Sequence, residues 1–228
     1  MVPARRTRPA GRTAYTCDVG ILVAVEGLDG AGKRTIVGRI EQAAAQLGAS
    51  VSTIAFPRYG ESITADLASE ALHGRHGDLR DSVYAMGLLF ALDRAAARPL
   101  LRTALAENDL VLCDRYTASN AAYNAARLGE GAESEVVSWV ADMEFGRFRL
   151  PVPDHQLLLG VPPEVAMNRA TGRAETDADR PVDAYERDAD LQHRVYRVYG
   201  ELVESNWMSS WSWADGDAAV EQVLAQLN

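Results

Sequence analysis

The stretch that decides the fold is Gly27-Leu28-Asp29-Gly30-Ala31-Gly32-Lys33-Arg34-Thr35, which fits the pattern G-x-x-x-x-G-K. The apolar run 21–25 precedes it, and its length and β-branched content predict a strand buried on both faces of a parallel sheet. Apolar residues at three- and four-residue spacing follow it over 34–47 and predict an amphipathic helix. A strand, a glycine-rich turn and a helix N-terminus in this order predict a phosphate-binding loop, because backbone N–H groups and the helix dipole point at the phosphate.

Lys33 is the only lysine among the 23 lysine and arginine residues of the chain. A compact ammonium group on a flexible stem fits beneath the β- and γ-phosphates, whereas a planar guanidinium is too bulky there. This favours a nucleotide site over a turn that merely ends a strand.

The residue after Lys33 departs from the usual pattern. Many P-loop enzymes have a Ser or Thr there, whose hydroxyl contacts Mg²⁺, but this chain has Arg34, with Thr35 one place later. Either Thr35 supplies the hydroxyl or other groups hold the metal.

The composition predicts a single acidic domain. With 228 residues, of which 47% are hydrophobic, the chain can form one sizeable core. A net charge of -9 argues against nucleic acid or an anionic membrane as the main partner, since either favours a basic surface. The basic residues 1–19 are predicted to form a disordered tail rather than a targeting or nucleic-acid-binding arm, before a single domain at 20–228. Cys17 and Cys113 lack metal-ligand spacing, which favours free thiols in the cytoplasm.

Further apolar stretches predict strands and helices that alternate along the chain, as in an α/β domain. Strands are predicted at 51–56, 110–113, 154–160 and 211–213. Helices are predicted at 62–72, at 79–106 with a break near Pro99, and at 133–148, 164–172, 183–203 and 220–227.

Chemically versatile residues follow two of the predicted strands. Phe56 and Tyr59 follow the second strand, and Asp114 and Arg115 follow the third. Ligands of open α/β sheets lie outside the carboxyl ends of the strands, so these side chains are candidates for substrate contact. An acidic residue such as Asp114 commonly organises Mg²⁺ there, and a neighbouring arginine can hold a phosphate. For Phe56, a packed aromatic in a proline-stiffened turn is the alternative.

Two predicted helices carry pairs of residues on one face. Phe90 and Arg94 are four apart, and a ring beside a guanidinium can bind a nucleobase. A core phenylalanine with a surface arginine is the alternative. Asn120 and Tyr123 are three apart and also share a face.

The region 172–183 is rich in charged residues and poor in apolar ones, which predicts a mobile lid. Arg169, Arg173 and Arg180 could close over nucleotide phosphates and neutralise charge in the transition state. Without the P-loop, a charged loop that merely connects two helices would be the favoured interpretation.

Five motifs together resemble the thymidylate kinase family, in a bacterial, actinobacterial branch. They are Glu26-Gly27-Leu28-Asp29-Gly30-Ala31-Gly32-Lys33, Phe56-Pro57-Arg58-Tyr59, Phe90 with Arg94, Asp114-Arg115-Tyr116-x-x-Ser119-Asn120, and Asp183-x-Tyr185-Glu186. The resemblance covers about residues 21–215. Because five separated motifs agree, it is far more specific than a P-loop alone.

The resemblance implies a P-loop nucleoside monophosphate kinase fold, with a five-stranded parallel sheet flanked by helices on both faces. It implies a homodimeric enzyme that phosphorylates dTMP to dTDP with ATP and Mg²⁺. Its implied catalytic residues are Lys33, Arg115, Asp29, Arg173 and Arg180. Its implied ATP-binding residues are Gly27, Gly30, Ala31, Gly32, Lys33, Arg34 and Thr35.

For dTMP the implied residues are Asp29, Phe56, Tyr59, Phe90, Arg94, Arg115, Asn120, Tyr123, Asp183 and Tyr185. In this assignment Phe90 stacks on thymine, Arg94 bonds the O4 atom and Asn120 contacts N3. For the metal the implied residues are Asp29 and Glu186, with Asp114 as a further candidate.

Two other functions stay open at the level of sequence. A deoxynucleoside kinase phosphorylates a hydroxyl and needs a carboxylate base, for which Glu26 at the strand end is a candidate. Against a GTP-binding switch, the guanine-reading motif Asn-Lys-x-Asp is absent, and a chain with Lys33 as its only lysine cannot contain it in its usual form. Guanine nucleotide binding with slow hydrolysis would favour this function.

Overall fold

The structure is a computed structural model, in which residues 20–176 and 183–227 are described, with 173–176 as helical backbone only. Its strands are β1 (Ile21–Glu26), β2 (Val51–Ala55), β3 (Leu110–Asp114), β4 (His155–Leu159) and β5 (Ser210–Ala214). They form one five-stranded sheet in the order β2-β3-β1-β4-β5, and every neighbouring pair is parallel. The predicted strands and the implied parallel sheet are confirmed.

Helices connect the strands, as parallel pairing requires. They are α1 (Lys33–Gln46), α2 (Ile63–Leu72), α3 (Val83–Ala96), α4 (Arg98–Glu107), α5 (Thr117–Leu128), α6 (Glu135–Ala141), α7 (Pro163–Thr176), α8 (Ala184–Arg187), α9 (Ala189–Glu204) and α10 (Gly216–Leu224). Short 3₁₀ turns lie at Leu79–Asp81 and Ala225–Leu227, and a π-helical turn lies at Asp142–Arg147.

The sheet is buried on both faces. Val23 and Val25 of β1 belong to a core cluster with residues of α1, α5, α9 and α10. Leu22 and Ala24 point the other way, into a second cluster to which α4 contributes Leu101. Successive side chains of a strand point to opposite faces, so the continuous apolar run of β1 supplies both cores.

The strand order brings two polar segments together. β1 and β3 are neighbours, and Val25 lies opposite Asp114 in their register. The glycine-rich loop leaves the end of β1, and Arg115 follows the end of β3, so both lie at the carboxyl edge of the sheet. Such an edge is where open α/β sheets bind ligands.

Two predicted helices are interrupted in the structure. The helix predicted at 133–148 is α6 followed by the π-helical turn, whose wider winding ends with Phe148 packed against the second core cluster. The helix predicted at 183–203 is divided into α8 and α9 because Asp188 caps a new helix with its side chain on the Leu191 N–H, 2.9 Å away.

The lid boundary also differs from its prediction. Helix α7 continues to Thr176, past the predicted lid start at 172, and residues 177–182 lie outside the described residues. The predicted tail 1–19 lies outside them as well. No helix of the described residues is long and apolar enough to cross a membrane.

Candidate active site

A cavity of about 660 Å³ opens at the carboxyl edge of the sheet. The glycine-rich loop and the start of α1 form one end, and α3, α5 and α8 enclose the other. Every residue that the sequence assigned to dTMP lines this cavity: Asp29, Phe56, Tyr59, Phe90, Arg94, Arg115, Asn120, Tyr123, Asp183 and Tyr185. Of the residues assigned to ATP, the lining includes Gly30, Gly32, Lys33, Arg34 and Thr35 but not Gly27 or Ala31.

The shape of the loop depends on glycine. Gly30 and Gly32 have φ angles of 83° and 90°, in the left-handed region that residues with a Cβ rarely adopt. A Cβ on Gly30 would also lie 1.9 Å from the carbonyl oxygen of Ala166 in α7. Gly30 therefore lets the loop and α7 pack in direct contact.

Lys33 begins α1 and is almost buried. Its Nζ donates to the carbonyl oxygens of Leu28 at 2.8 Å and Gly27 at 3.1 Å, and lies 4.0 Å from Asp29 Oδ1. Burial and the positive charge of Arg115 lower the pKa of Lys33 to about 8, although neighbouring carboxylates oppose the shift. The loop thus places an ammonium group that is costly to bury where a phosphate would stabilise it.

Asp29 and Arg115 form an ion pair in the middle of the cavity. Arg115 Nη2 lies 2.7 Å from Asp29 Oδ1, and the Tyr123 hydroxyl donates to Asp29 Oδ2 at 3.2 Å. Burial alone would raise the pKa of Asp29, but the charges of Arg115 and Lys33 hold it below its ordinary value. Asp29 is therefore an anion at neutral pH, between two cations.

The backbone at Arg115 is strained. Its φ angle is 64°, which is uncommon for a residue with a side chain, and it immediately follows β3. Its N–H donates to Val25 O at 2.9 Å, and its Nη1 donates to Ser119 Oγ at 3.0 Å. Strain of this kind persists where surrounding contacts fix it, and it places the guanidinium beside Asp29.

Glu26 supports this arrangement from below. It is fully buried, accepts hydrogen bonds from the Tyr116 N–H and the hydroxyls of Ser119 and Tyr199, and does not line the cavity. These contacts anchor the start of α5. They argue against Glu26 as the base of a deoxynucleoside kinase.

The far end of the cavity contains an aromatic ring and a network of buried polar groups. Phe90 and Arg94 line it from α3, and Asn120 lines it from α5. Arg94 is buried in a two-point ion pair with Glu144 of the π-helical turn. Arg94 is thus not the surface arginine that the sequence left open as an alternative.

The segment after β2 is tied to α3. Asp93 accepts from the backbone N–H and the Nε of Arg58, both at 2.9 Å. Phe56 is buried, with its ring centroid 5.9 Å from that of Tyr116, whereas Tyr59 is half exposed at the cavity mouth. Phe56 therefore combines the two interpretations left open by the sequence, since it packs in the core and also lines the cavity.

Asp183 and Glu186 cap a helix as well as lining the cavity. The Asp183 carboxylate accepts from the N–H groups of Tyr185 and Glu186, and the Glu186 carboxylate accepts from the Asp183 N–H. This capping box is a D-x-x-E pattern that the sequence displays. It fixes the position of Tyr185, whose ring stacks on Tyr123 with centroids 6.2 Å apart.

Comparison with known proteins gives a consistent result. The family model described as "Thymidylate kinase" matches residues 25–224. A thymidylate kinase of Mycobacterium tuberculosis is 51% identical over 207 residues, covering 91% of this chain and 97% of the relative. A thymidylate kinase of Danio rerio is 29% identical, covering 91% of this chain and 88% of the relative.

The chain belongs to the thymidylate kinase family.

The predicted resemblance to the family, including its actinobacterial branch, is confirmed by these matches. A probable thymidylate kinase of Thermococcus gammatolerans, 33% identical over 191 residues, extends the similarity to an archaeal relative and covers 82% of this chain and 84% of the relative.

The structure describes the three candidate arginines of the lid to different extents. Arg169 of α7 lines the cavity. Arg173 is described only as helical backbone, and Arg180 lies outside the described residues. Among the described residues, no group of three or more His, Cys, Asp or Glu side chains could hold a metal ion by itself.

Several residues of the site escaped the sequence analysis. Met86 lies four residues before Phe90, and Asn124 lies four residues after Asn120, and both line the cavity. Helical spacing from the predicted residues was a signal that could have found these two. Glu144 had no such signal, because it lies 50 residues from Arg94 in the chain.

Proposed function

We infer that the chain transfers the γ-phosphoryl group of ATP to dTMP and forms dTDP and ADP. The observation that carries this inference is one cavity with a P-loop at one end and a ring, an arginine and an amide at the other. A nucleoside triphosphate and a pyrimidine monophosphate can bind there with their phosphates facing each other. The family match supports the same reaction.

The P-loop end binds ATP in this proposal. Residues Gly27 to Gly32 surround the phosphates with backbone N–H groups, and Lys33 exchanges its bonds to the Gly27 and Leu28 carbonyls for the β- and γ-phosphates. Arg34 and Thr35 line the same end.

The opposite end binds dTMP. Phe90 stacks on the thymine ring, Arg94 donates to O4 and the amide oxygen of Asn120 accepts from N3–H. Tyr59 and Arg115 hold the monophosphate, and the bonds from Arg115 to Asp29 and Ser119 support this role by fixing its guanidinium. Asp29 contacts the 3′-hydroxyl.

The sugar lies beneath two stacked tyrosines. Tyr123 crowds the 2′ position and so favours deoxyribose, while Tyr185 and Asp183 contact the sugar from α8. The hydrogen bond from Tyr123 to Asp29 supports this placement because it holds the phenol against the cavity wall.

Mg²⁺ is the proposed cofactor. Asp29, Asp114 and Glu186 line the cavity, as does Thr35, and oxygen donors such as these suit Mg²⁺. Mg²⁺ generally takes one or two carboxylates together with substrate phosphates. When bound, the ion neutralises phosphate charge.

The chain's own residues contribute position and positive charge to the transfer. The acceptor oxygen belongs to the dTMP phosphate, which is already an adequate nucleophile, so no dedicated base is required. Lys33 and Arg115 neutralise charge that develops on the transferred group, and Asp29 holds Arg115 in line. Arg173 and Arg180 of the lid, together with Arg169, are the further cations that we assign to the transferred phosphoryl group.

We also propose that the enzyme is a cytoplasmic homodimer. On α3, Tyr84 is 44% exposed and Leu88 is 40% exposed, and they lie one turn apart. A groove there is lined by the apolar residues Leu88, Trp139 and Met143 and by the charged residues Asp142 and Arg147. A second copy of this chain is the occupant we propose for this face.

An acceptor panel tests the proposed reaction. ADP release with Mg-ATP is measured against dTMP, dUMP, dCMP, dGMP and thymidine, with GTP as an alternative donor. Fast turnover with dTMP, and slower turnover with dUMP, is the expected result. Turnover with thymidine alone would assign the chain to deoxynucleoside kinases, and absence of turnover with every monophosphate would overturn the proposal.

A further inference from the structure

A buried carboxylate stands behind the base end of the cavity. Glu144 is fully buried and does not line the cavity. It accepts from Arg94 Nε at 2.5 Å and Nη2 at 2.7 Å, and from Asn120 Nδ2 at 2.8 Å. One carboxylate therefore holds both of the residues that are proposed to read the base.

The network fixes the orientation of the Asn120 amide. Its nitrogen faces the Glu144 carboxylate and, at 3.0 Å, the carbonyl of Gly87, and both groups can only accept hydrogen bonds. The amide oxygen must then lie on the other side, where it accepts from Asn124 Nδ2 at 3.1 Å. Because a carbonyl oxygen has two lone pairs, Asn120 still offers an acceptor to the cavity it lines.

Arg94 offers hydrogen-bond donors next to the Asn120 acceptor. A guanidinium has donors only, and two of its N–H groups are directed to Glu144, which leaves further donors for the cavity that Arg94 lines. Burial alone would lower the pKa of Arg94, but the adjacent Glu144 carboxylate raises it, so the guanidinium stays charged.

The helix packing that supports this network depends on Gly87. A Cβ at Gly87 would lie 2.4 Å from Asn124 Nδ2 and 3.2 Å from the Trp139 ring. Because residue 87 has no Cβ, α3 and α5 approach closely enough for Asn120 Nδ2 to donate to the Gly87 carbonyl.

A donor beside an acceptor matches only one kind of pyrimidine edge. Thymine and uracil present an O4 acceptor and an N3–H donor, whereas cytosine presents an amino donor and an N3 acceptor. We propose that Glu144 is a positioning residue that sets the donor and acceptor polarity of this pocket and thereby selects 4-oxo over 4-amino pyrimidines. The inference rests on the proposed function, since it requires the base to lie against Arg94 and Asn120.

Glu144→Gln tests this proposal. Glutamine keeps the shape but replaces one acceptor oxygen with an NH₂ donor, so it cannot accept from all three donors. With the amide oxygen at the Oε1 position the NH₂ group faces Arg94 Nε, and in the reverse orientation it faces Arg94 Nη2 and Asn120 Nδ2. We expect kcat/KM for dTMP to fall at least about tenfold, and the preference for dTMP over dCMP to narrow by about tenfold or more, because buried polar groups lose their partners. The preference for dTMP over dUMP stays unchanged, because the network does not contact the 5-methyl group. Competitive inhibition by dCMP supplies its affinity if its turnover is slow.

Glu201→Gln is the matched control. Glu201 also pairs with an arginine, Arg197, and accepts from the Ala132 N–H at 2.7 Å, but it lies outside the cavity lining. It should keep wild-type kinetics.

If Glu144→Gln does not fold, Glu144→Asp keeps the charge and both acceptors at a shorter reach, and should show an intermediate dTMP to dCMP preference. A folded Glu144 variant with the wild-type preference would overturn the inference. Failure of the wild-type enzyme to use dTMP would instead overturn the proposed function.

Discussion

At the scale of single residues, Lys33 connects stability with function. Lys33 is 8% exposed, and its ammonium group lies among backbone carbonyls and near the cation Arg115. Burying a charge in this way destabilises the folded protein, and the attraction of the ammonium group to nucleotide phosphates would offset this cost. Such destabilised charges are common at sites that bind ligands of opposite charge.

Replacement of Lys33 should therefore separate activity from stability. We expect Lys33→Met to reduce kcat by about 10³-fold, since a preorganised cation at the phosphates is removed. At pH 7 the free energy of unfolding should rise by about 1 kcal/mol, because the protonated lysine no longer has to be buried. Steady-state kinetics and urea unfolding measure the two effects. Near-normal turnover in a folded variant would contradict the assigned role.

The protonation of Lys33 can be measured without interference from other lysine side chains, since the chain has no other lysine. With a pKa of about 8 in the folded protein and 10.5 ordinarily, Lys33 loses its proton earlier when folded. The buried charge of Lys33 thus lowers the free energy of unfolding below pH 8. This free energy rises with pH between about 8 and 10.5.

We expect amine-reactive labelling of Lys33, followed by peptide mass spectrometry, to increase through about pH 8. Mg-ATP should suppress this labelling and shift its midpoint upward, because the phosphates stabilise the protonated form. A midpoint near 10.5 without nucleotide would show that burial does not act on this group.

At the scale of elements, the contact between the P-loop and α7 is a close backbone approach. Between Gly30 and the Ala166 carbonyl there is room only for a hydrogen atom. A Cβ on residue 30 would lie 1.9 Å from the carbonyl oxygen. The loop conformation and the position of α7, which carries Arg169, are therefore coupled.

Gly30→Ala should destabilise the protein by about 1–3 kcal/mol through its left-handed φ, and by more through the clash with α7. Gly38 in α1 is the matched control, since a Cβ there meets nothing within 4 Å and its φ is ordinary. Gly38→Ala should stabilise by about 0.5–1 kcal/mol. Denaturant unfolding of both variants checks the pair, and equal effects of the two would refute the packing argument.

The elements also show what the sequence could predict. The run 21–25, the glycines and the helix after them are contiguous, so an apolar run, the G-x-x-x-x-G-K pattern and helical periodicity together predicted β1, the loop and α1. Glu144 and Asp188 show the limit. The buried ion pair of Glu144 joins residues 50 positions apart, a tertiary contact that local periodicity does not contain. The Asp188 cap is local, but it lies within one amphipathic pattern, so periodicity alone predicts a single helix where the structure has α8 and α9.

At the scale of the whole molecule, parallel strand order assembles the site. The P-loop, Arg115, Phe90 and Asn120 come from separate segments and converge because β1 and β3 are neighbours at the centre of the sheet. The residues assigned to dTMP through the family resemblance lie together for this reason. Their individual roles toward ATP, dTMP and Mg²⁺ stay predictions.

The proposed dimer is testable at this scale. Leu88→Glu places a charge on the exposed α3 face and should convert a dimer into a monomer, because unpaired charges are excluded from apolar interfaces. Leu47→Glu is the control, since Leu47 is 65% exposed at the end of α1 and does not line the groove beside Leu88. Sedimentation velocity measures both. A wild-type monomer, or a Leu88→Glu dimer of undiminished stability, would contradict the proposal.

The central claim is that one cavity binds dTMP with its base against Phe90, Arg94 and Asn120 and its phosphate toward the P-loop. The most direct measurement is a crystal structure of the complex with dTMP. The account predicts thymine stacked on Phe90, with O4 to Arg94 and N3 to Asn120 Oδ1 each at about 2.7–3.2 Å. A base bound elsewhere, or dTMP reversed with its phosphate at Arg94, would contradict it.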